Sequence, residues 1–179
     1  MKNRKKGQIL VEAVIYVLIG LALIGIVLFA VKPKIDSSRD KVIVEQSINS
    51  LKNFDDKINE VMDNGKGSVR NVNDFSLKRG ELMIDGESDE ITFALKGLSK
   101  PFSELGTRIK YGNVDLVSKT ENKKYSVYLS LNYSNAINLT LNGGDDKKTF
   151  SPSSVPYRFS VSNEGGDRTR LLVIDIEQT

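Results

Sequence analysis

The 179 residues include no cysteine and no histidine. A thiolate nucleophile, a disulfide, a zinc cluster and an imidazole base are therefore all ruled out at once. The residues left with a specific chemical possibility are few. Glu12 places a carboxylate at the head of an otherwise uncharged apolar run. On insertion scales such a charge costs a few kcal/mol at the centre of a bilayer and less near its surface, so it marks a pairing or functional role. Asn132, in N-Y-S, and Asn138, in N-L-T, are sequons for N-glycosylation. The acidic stretches Asp85 to Glu90 and Asp145-Asp146 lack the oxygen spacing of a calcium loop and read as wet turns. Nothing in S-P-S-S-V-P-Y, Ser151 to Tyr157, marks a nucleophile. No catalytic constellation, metal site or cofactor motif emerges, and the expectation is a protein that is not an enzyme and needs no cofactor.

The element that positions Glu12 is the most legible in the chain. Lys2, Arg4, Lys5 and Lys6 form a basic leader that ends at Gly7, and Q-I-L-V-E leads into the 19 uncharged residues from Ala13 to Val31. As a helix that stretch is about 28 Å long, close to the hydrocarbon thickness of a bilayer. It is apolar on every face, unlike a surface helix with one wet side. Its length exceeds the apolar core of an ordinary secretory signal, and no small-residue exit follows it, so the span is expected to stay in the product. Four leader cations ahead of the span hold the N-terminus in the cytoplasm and send the rest of the chain outside, and Lys32 and Lys34 weaken that bias without reversing it.

A formal charge of +3 invites a nucleic-acid reading, but the distribution removes it. Four of the 26 basic residues lie in the leader, and the remaining 22 face 23 acids, so the chain beyond Gly7 carries about −1. No basic face is left for a polyanion.

From Lys41 to Met62 the pattern changes to a helix with one apolar stripe. Val44, Ile48, Leu51, Phe54 or Asp55, Ile58 and Val61 or Met62 recur at spacings of three and four. Pro33 either bends a continuous helix or belongs to a break at Pro33 to Ser38 between two helices. The helix should end in D-N-G-K-G, with Asn64 or Gly65 in the left-handed position. After Gly67 the period becomes two. Alternation is clear in Glu90 to Lys96, in Lys124 to Tyr133, in Ile137, Leu139 and Leu141, in Tyr157, Phe159 and Val161, and in Leu172, Ile174 and Ile176. Turn signals at Asp85-Gly86, Tyr111-Gly112-Asn113, Glu121-Asn122, Asn142-Gly143-Gly144 and Glu164-Gly165-Gly166 separate these runs. The predicted class is α+β, a long N-terminal hydrophobic helix followed by an antiparallel β-sandwich or partly rolled sheet, with the stripe of residues 44 to 62 covering part of the core.

The junction K-K-G-Q-I-L-V-E resembles the class III signal of type IV pilins and their archaeal relatives, the archaellins included. It has a short basic leader, a glycine directly before the hydrophobic segment and a single glutamate five residues after that glycine. Against the archaeal form Gln-x-Ser-x-Glu-x-x-x-Leu, Gln8 and Glu12 match, while Leu10 stands at the serine position and Tyr16 at the leucine position. The resemblance implies cleavage after Gly7, between Lys6-Gly7 and Gln8, by a prepilin peptidase. It implies a mature chain starting at Gln8, and a helix that passes from the bilayer into the core of a filament at a membrane assembly platform. It also implies a role for Glu12, which would compensate the new amine of a neighbouring subunit at Gln8. In low-dielectric surroundings an ammonium and a carboxylate attract far more strongly than in water, and an unpaired one pays full desolvation.

The organisation expected is a leader at 1–7, a long helix at 8–64 with residues 13–31 in the membrane and 41–62 amphipathic, and an extracellular β domain at 68–179. The partners expected are further copies of the chain or related pilins, packed through Ile15, Leu18, Leu21, Leu23, Ile26 and Phe29 in a contact that repeats instead of closing. Gly20 and Gly25 either allow close helix approach or soften the helix as it leaves the bilayer. The alternative functions are a permanently anchored, monomeric surface-binding domain and a minor pseudopilin.

Overall fold

A computed structural model describes residues 3–166 and 171–179, with side chains from Val11 onward. Helix α1 runs over Asn3–Asn64 with Pro33 inside it, so of the two alternatives at Pro33 the continuous helix is the one observed. Proline has no N–H to donate to the carbonyl one turn back, at Phe29, and the helix carries that single missing bond. Among the described residues, helical backbone extends into the basic leader as far as Asn3. The chain divides into two compact units at Arg39/Asp40.

The first unit is helix alone. The second starts at Asp40 and holds the rest of α1 and ten strands: β1 (Val69–Phe75), β2 (Glu81–Asp85), β3 (Glu90–Leu98), β4 (Arg108–Tyr111), β5 (Val114–Glu121), β6 (Lys124–Asn132), β7 (Ile137–Leu141), β8 (Lys147–Phe150), β9 (Tyr157–Gly165) and β10 (Leu172–Gln178). They form a four-stranded sheet in the order β1-β9-β10-β7 and a six-stranded sheet in the order β4-β5-β6-β3-β2-β8. The class is the expected α+β. Within it one pair departs from antiparallel: β10 runs parallel to β7, with Leu172 opposite Ile137 and Ile176 opposite Leu141. Parallel neighbours need a crossover, and the connection that includes β8 and β9 supplies it.

The alternation read from the sequence reappears as burial. Ile91, Phe93 and Leu95 of β3 and Val127, Leu129 and Leu131 of β6 face inward, and Phe93 stands opposite Leu129 in the ladder. The helical stripe joins the same core through Val44, Ile48, Leu51, Phe54, Ile58 and Val61. Of the paired possibilities, Phe54 and Val61 are the core residues, and Asp55 enters the interior for a different reason, given below. An aromatic cluster links the layers. The Phe54 ring lies 5.4 Å from Phe159 of β9, and Phe150 of β8 meets Phe159 edge-on at 5.2 Å. Such pairs add about 0.5–1.5 kcal/mol each to the area they bury.

Gly65 takes the left-handed conformation (φ 77°) that stops α1. Beyond it, the Ser68 hydroxyl and the Asn163 amide both donate to the Val61 carbonyl at 2.8 Å, satisfying one of the orphan acceptors of the last turn.

Candidate functional site

Lys6, Gly7 and Gln8 lie on helical backbone within α1, and their side chains are outside the described residues, as is Lys2 altogether. Glu12 is exposed and follows Gln8 by four residues, one helical turn, so both positions fall on one face of α1.

Among the described residues α1 is the one helix long and apolar enough to cross a membrane, and none of its most apolar window is buried. Ile15, Leu18, Leu21, Leu23 and Ile26 are all exposed, and Phe29 is 86% exposed. Burying a large apolar side chain stabilises by roughly 1.5–3 kcal/mol. Over this stretch, even half of that per residue amounts to on the order of 10 kcal/mol, comparable to the whole folding margin of a domain. Water is the wrong surrounding for such a surface; lipid or other apolar helices are the right one. A methyl group at Gly20 or Gly25 would meet nothing within 4 Å, so both glycines leave open space on the helix surface.

In the second unit, polar side chains fasten the amphipathic half of α1 to the sheets, and apart from Asp55 and Tyr133 the sequence pattern does not single them out. Asp40 accepts from Arg79 Nη1 at 2.6 Å and from the backbone N–H and hydroxyl of Ser99, both at 2.7 Å. Burial alone would raise its pKa, but the Ser99 bonds and the Arg79 guanidinium outweigh it and hold the carboxyl below its ordinary value. Asp55, 6% exposed, accepts from the Tyr133 hydroxyl at 2.7 Å and from the Asn113 amide at 2.8 Å. Burial, followed by the neighbouring Asp55 charge, raises the Tyr133 pKa far above that of free tyrosine. A buried carboxylate with two donors explains why a charged residue occupies a stripe position where Phe54 or Asp55 were both possible. Pairwise spacing along one helix carries no signal for these contacts, because the partners come from β-turns far along the chain.

The acidic turn after β2 is a capped turn. Asp85 Oδ1 accepts from the N–H groups of Glu87 and Ser88, and Oδ2 takes the Lys147 ammonium at 2.8 Å. Of the five tyrosines in the β strands and their ends, Tyr133 is buried and Tyr111, Tyr125 and Tyr157 pack against the core. Tyr128 instead donates to Glu121 Oε1 at 2.6 Å, and that bond, with some burial, pushes its pKa up to about 12.

The two sequons sit differently. Asn132 is exposed at the end of β6, and its Oδ1 accepts from the Ser134 N–H at 3.2 Å and the Ser134 hydroxyl at 2.7 Å. Asn138 is half-buried within β7, opposite Val173 of β10. Its Thr140 is 7% exposed and donates to Asp175 at 2.6 Å.

Neither a family model, a curated protein nor a solved structure matches this chain. What the fold establishes is a long N-terminal apolar helix joined to a mainly antiparallel β domain, an architecture consistent with pilin-like proteins in general and with a membrane-anchored subunit.

Proposed function

We propose that the chain is a prepilin-like structural subunit. It inserts in the membrane through residues 13–31 with its leader in the cytoplasm and its β domain outside. A prepilin peptidase cuts it after Gly7, and an assembly platform polymerises it into an extracellular type IV pilus-like filament. The role is structural, and no catalytic step or bound cofactor enters it.

The observation that carries the reading is the bare apolar surface from Ala13 to Val31 on the same chain as a separately cored β domain. In the bilayer, lipid covers that surface; in a filament, the equivalent surfaces of neighbouring copies cover it. Exchanging one apolar surrounding for the other changes little in hydrophobic free energy, so the transfer can be governed by specific contacts. Glu12 is the residue assigned to that task. Once the leader is removed, the amine at Gln8 of an incoming copy meets the Glu12 carboxylate of its neighbour, and the charge pair forms where water is scarce.

The deciding experiment is electron microscopy of material sheared from the producing cells, combined with mass spectrometry of the isolated fibres. The chain should be recovered in filaments with Gln8 as its first residue. Recovery only from the membrane fraction, as a single intact copy, would leave the permanently anchored surface domain as the correct description.

A further inference from the structure

We infer that the folded β domain presents one N-glycan acceptor, Asn132, and withholds the other sequon, Asn138, because the fold exposes the carboxamide and hydroxyl of the first and encloses the hydroxyl of the second. The middle residue of the first sequon, Tyr133, is 7% exposed and anchored through its hydroxyl to Asp55. Its N–H donates to the Asp89 carbonyl, and its own carbonyl accepts from Ala136 and Ile137. With the centre of the tripeptide pinned inward, Asn132 and Ser134 on either side stand outward, at the point where β6 ends and a turn begins. The Ser134 hydroxyl already lies against the Asn132 carboxamide oxygen at 2.7 Å, and among the described residues the Asn132 Nδ2 donates to no protein group. Both halves of the acceptor motif are therefore presented together on a surface turn, where a sequon is expected to serve.

The second sequon is built into the sheet. Asn138, Leu139 and Thr140 are paired with Val173, Ile174 and Asp175 of β10. The outer side of the strand is covered as well, since the Leu139 N–H donates to the Asp89 carboxylate at 2.7 Å. The Thr140 hydroxyl is committed to Asp175, itself buried, and Asp175 also accepts from the Gly143 N–H at 2.8 Å. Freeing that hydroxyl requires stripping β7 from β10, the edge pairing that completes the four-stranded sheet.

The reaction is a transfer from a lipid-linked glycosyl phosphate, catalysed by an oligosaccharyltransferase outside the membrane. Asn132 Nδ2 forms a bond to the anomeric carbon while the bond from that carbon to the phosphate oxygen breaks. The electron pair leaves with the lipid phosphate, and the amide proton passes to a base of the transferase.

The site rests on the proposed export of the β domain, and the test separates the two. No lysine or arginine lies between Lys124 and Lys147, so a tryptic peptide carries both sequons and the glycan must be localised by fragmentation between Tyr133 and Asn138. The material is the full chain from its native producer, after labelling of intact cells with a membrane-impermeant amine reagent. The expected result is a glycan on Asn132 alone, lost in Asn132→Gln and Ser134→Ala and retained in Asn138→Gln. A glycan on Asn138, with or without one on Asn132, overturns the inference. So does a bare chain whose β-domain lysines are labelled, which leaves export standing. A bare chain with unlabelled lysines overturns both.

Discussion

Tyr133 donates its hydroxyl hydrogen to Asp55 across 2.7 Å, joining residues 78 positions apart: the interior of helix α1 and the turn after β6. Both side chains are buried, so the bond replaces water at a carboxylate that would otherwise be left short of a donor. Tyr133→Phe should lower the stability of the β domain by about 1–3 kcal/mol, the cost of an unsatisfied buried group. Asn113→Ala, at an exposed hairpin, should cost less because water can take its place. Thermal unfolding of the detergent-solubilised chain, followed by circular dichroism, compares the two.

The same tyrosine predicts an alkaline limit. Its folded pKa is raised above the ordinary value near 10, so its contribution is fully present below about pH 10 and is lost as pH rises beyond that. Tyr128, pushed up to about 12, acts in the same direction over pH 10 to 12. Above pH 10 the wild-type chain should lose stability more steeply than Tyr133→Phe, and absorbance titration should show at least one tyrosine ionising near pH 12. Parallel slopes would reject the assignment.

Asp40 predicts the acid limit. With its folded pKa below the ordinary carboxylate value, its contribution is present above about pH 4 and is lost as pH falls through the lowered value. Asp40→Ala leaves Arg79 Nη1 and the Ser99 N–H without their acceptor, while Arg79 Nη2 keeps the Lys96 and Gly97 carbonyls. It should cost about 2–3 kcal/mol near neutrality, with the difference from wild type shrinking in acid. Urea unfolding at pH 7 and pH 3 reads both effects.

Processing should depend on Gly7. Replacing it with a bulkier residue should leave the chain in the membrane with its basic leader attached, seen as a heavier intact mass. Normal removal of the leader in the variant would reject the proposed cut.

Glu12→Gln is expected to insert and be cleaved like the wild type, yet to enter fibres several-fold less often, because the neutral amide no longer attracts an amine. Quantifying the chain in sheared filaments against the membrane fraction reads this, and an unchanged ratio would remove the charge-pairing role.

Periodicity exposed the parts of this fold that bury one face regularly. The stripe from Val44 to Val61 and the alternating strands β3, β6, β7, β9 and β10 were legible because every second or every third to fourth residue is apolar. Five strands were not singled out, for physical reasons visible in their side chains. In β8, K-K-T-F, Phe150 alone is buried. In β5 the inward position Ser118 is polar, and it is accommodated fully buried by the Ser103 hydroxyl at 2.7 Å. The bulged β1 carries Asp74 in a left-handed conformation, which breaks its period. The parallel register of β7 and β10 and the Asp40 and Asp55 attachments join distant segments, and a one-dimensional pattern holds no record of them. For the candidate site, the apolar span and the position of Glu12 were readable directly. The unequal standing of the two sequons emerged only once the turn at Ser134 and the ladder at Thr140 were in view.

The near-uniform greasiness around α1 from Ala13 to Val31 carries a geometric consequence. A rod equally oily at every azimuth has rotational degeneracy: apolar contact alone favours no heading about its long axis and sets no coordination number. Whatever surrounds the rod, its heading must be chosen by the features that break the symmetry, and those include a carboxylate at one end, the Tyr16 hydroxyl and two notches where side chains are missing. Alphabet changes among leucine, isoleucine and valine should therefore be silent there, while a single altered notch or a neutralised acid can re-aim the whole segment.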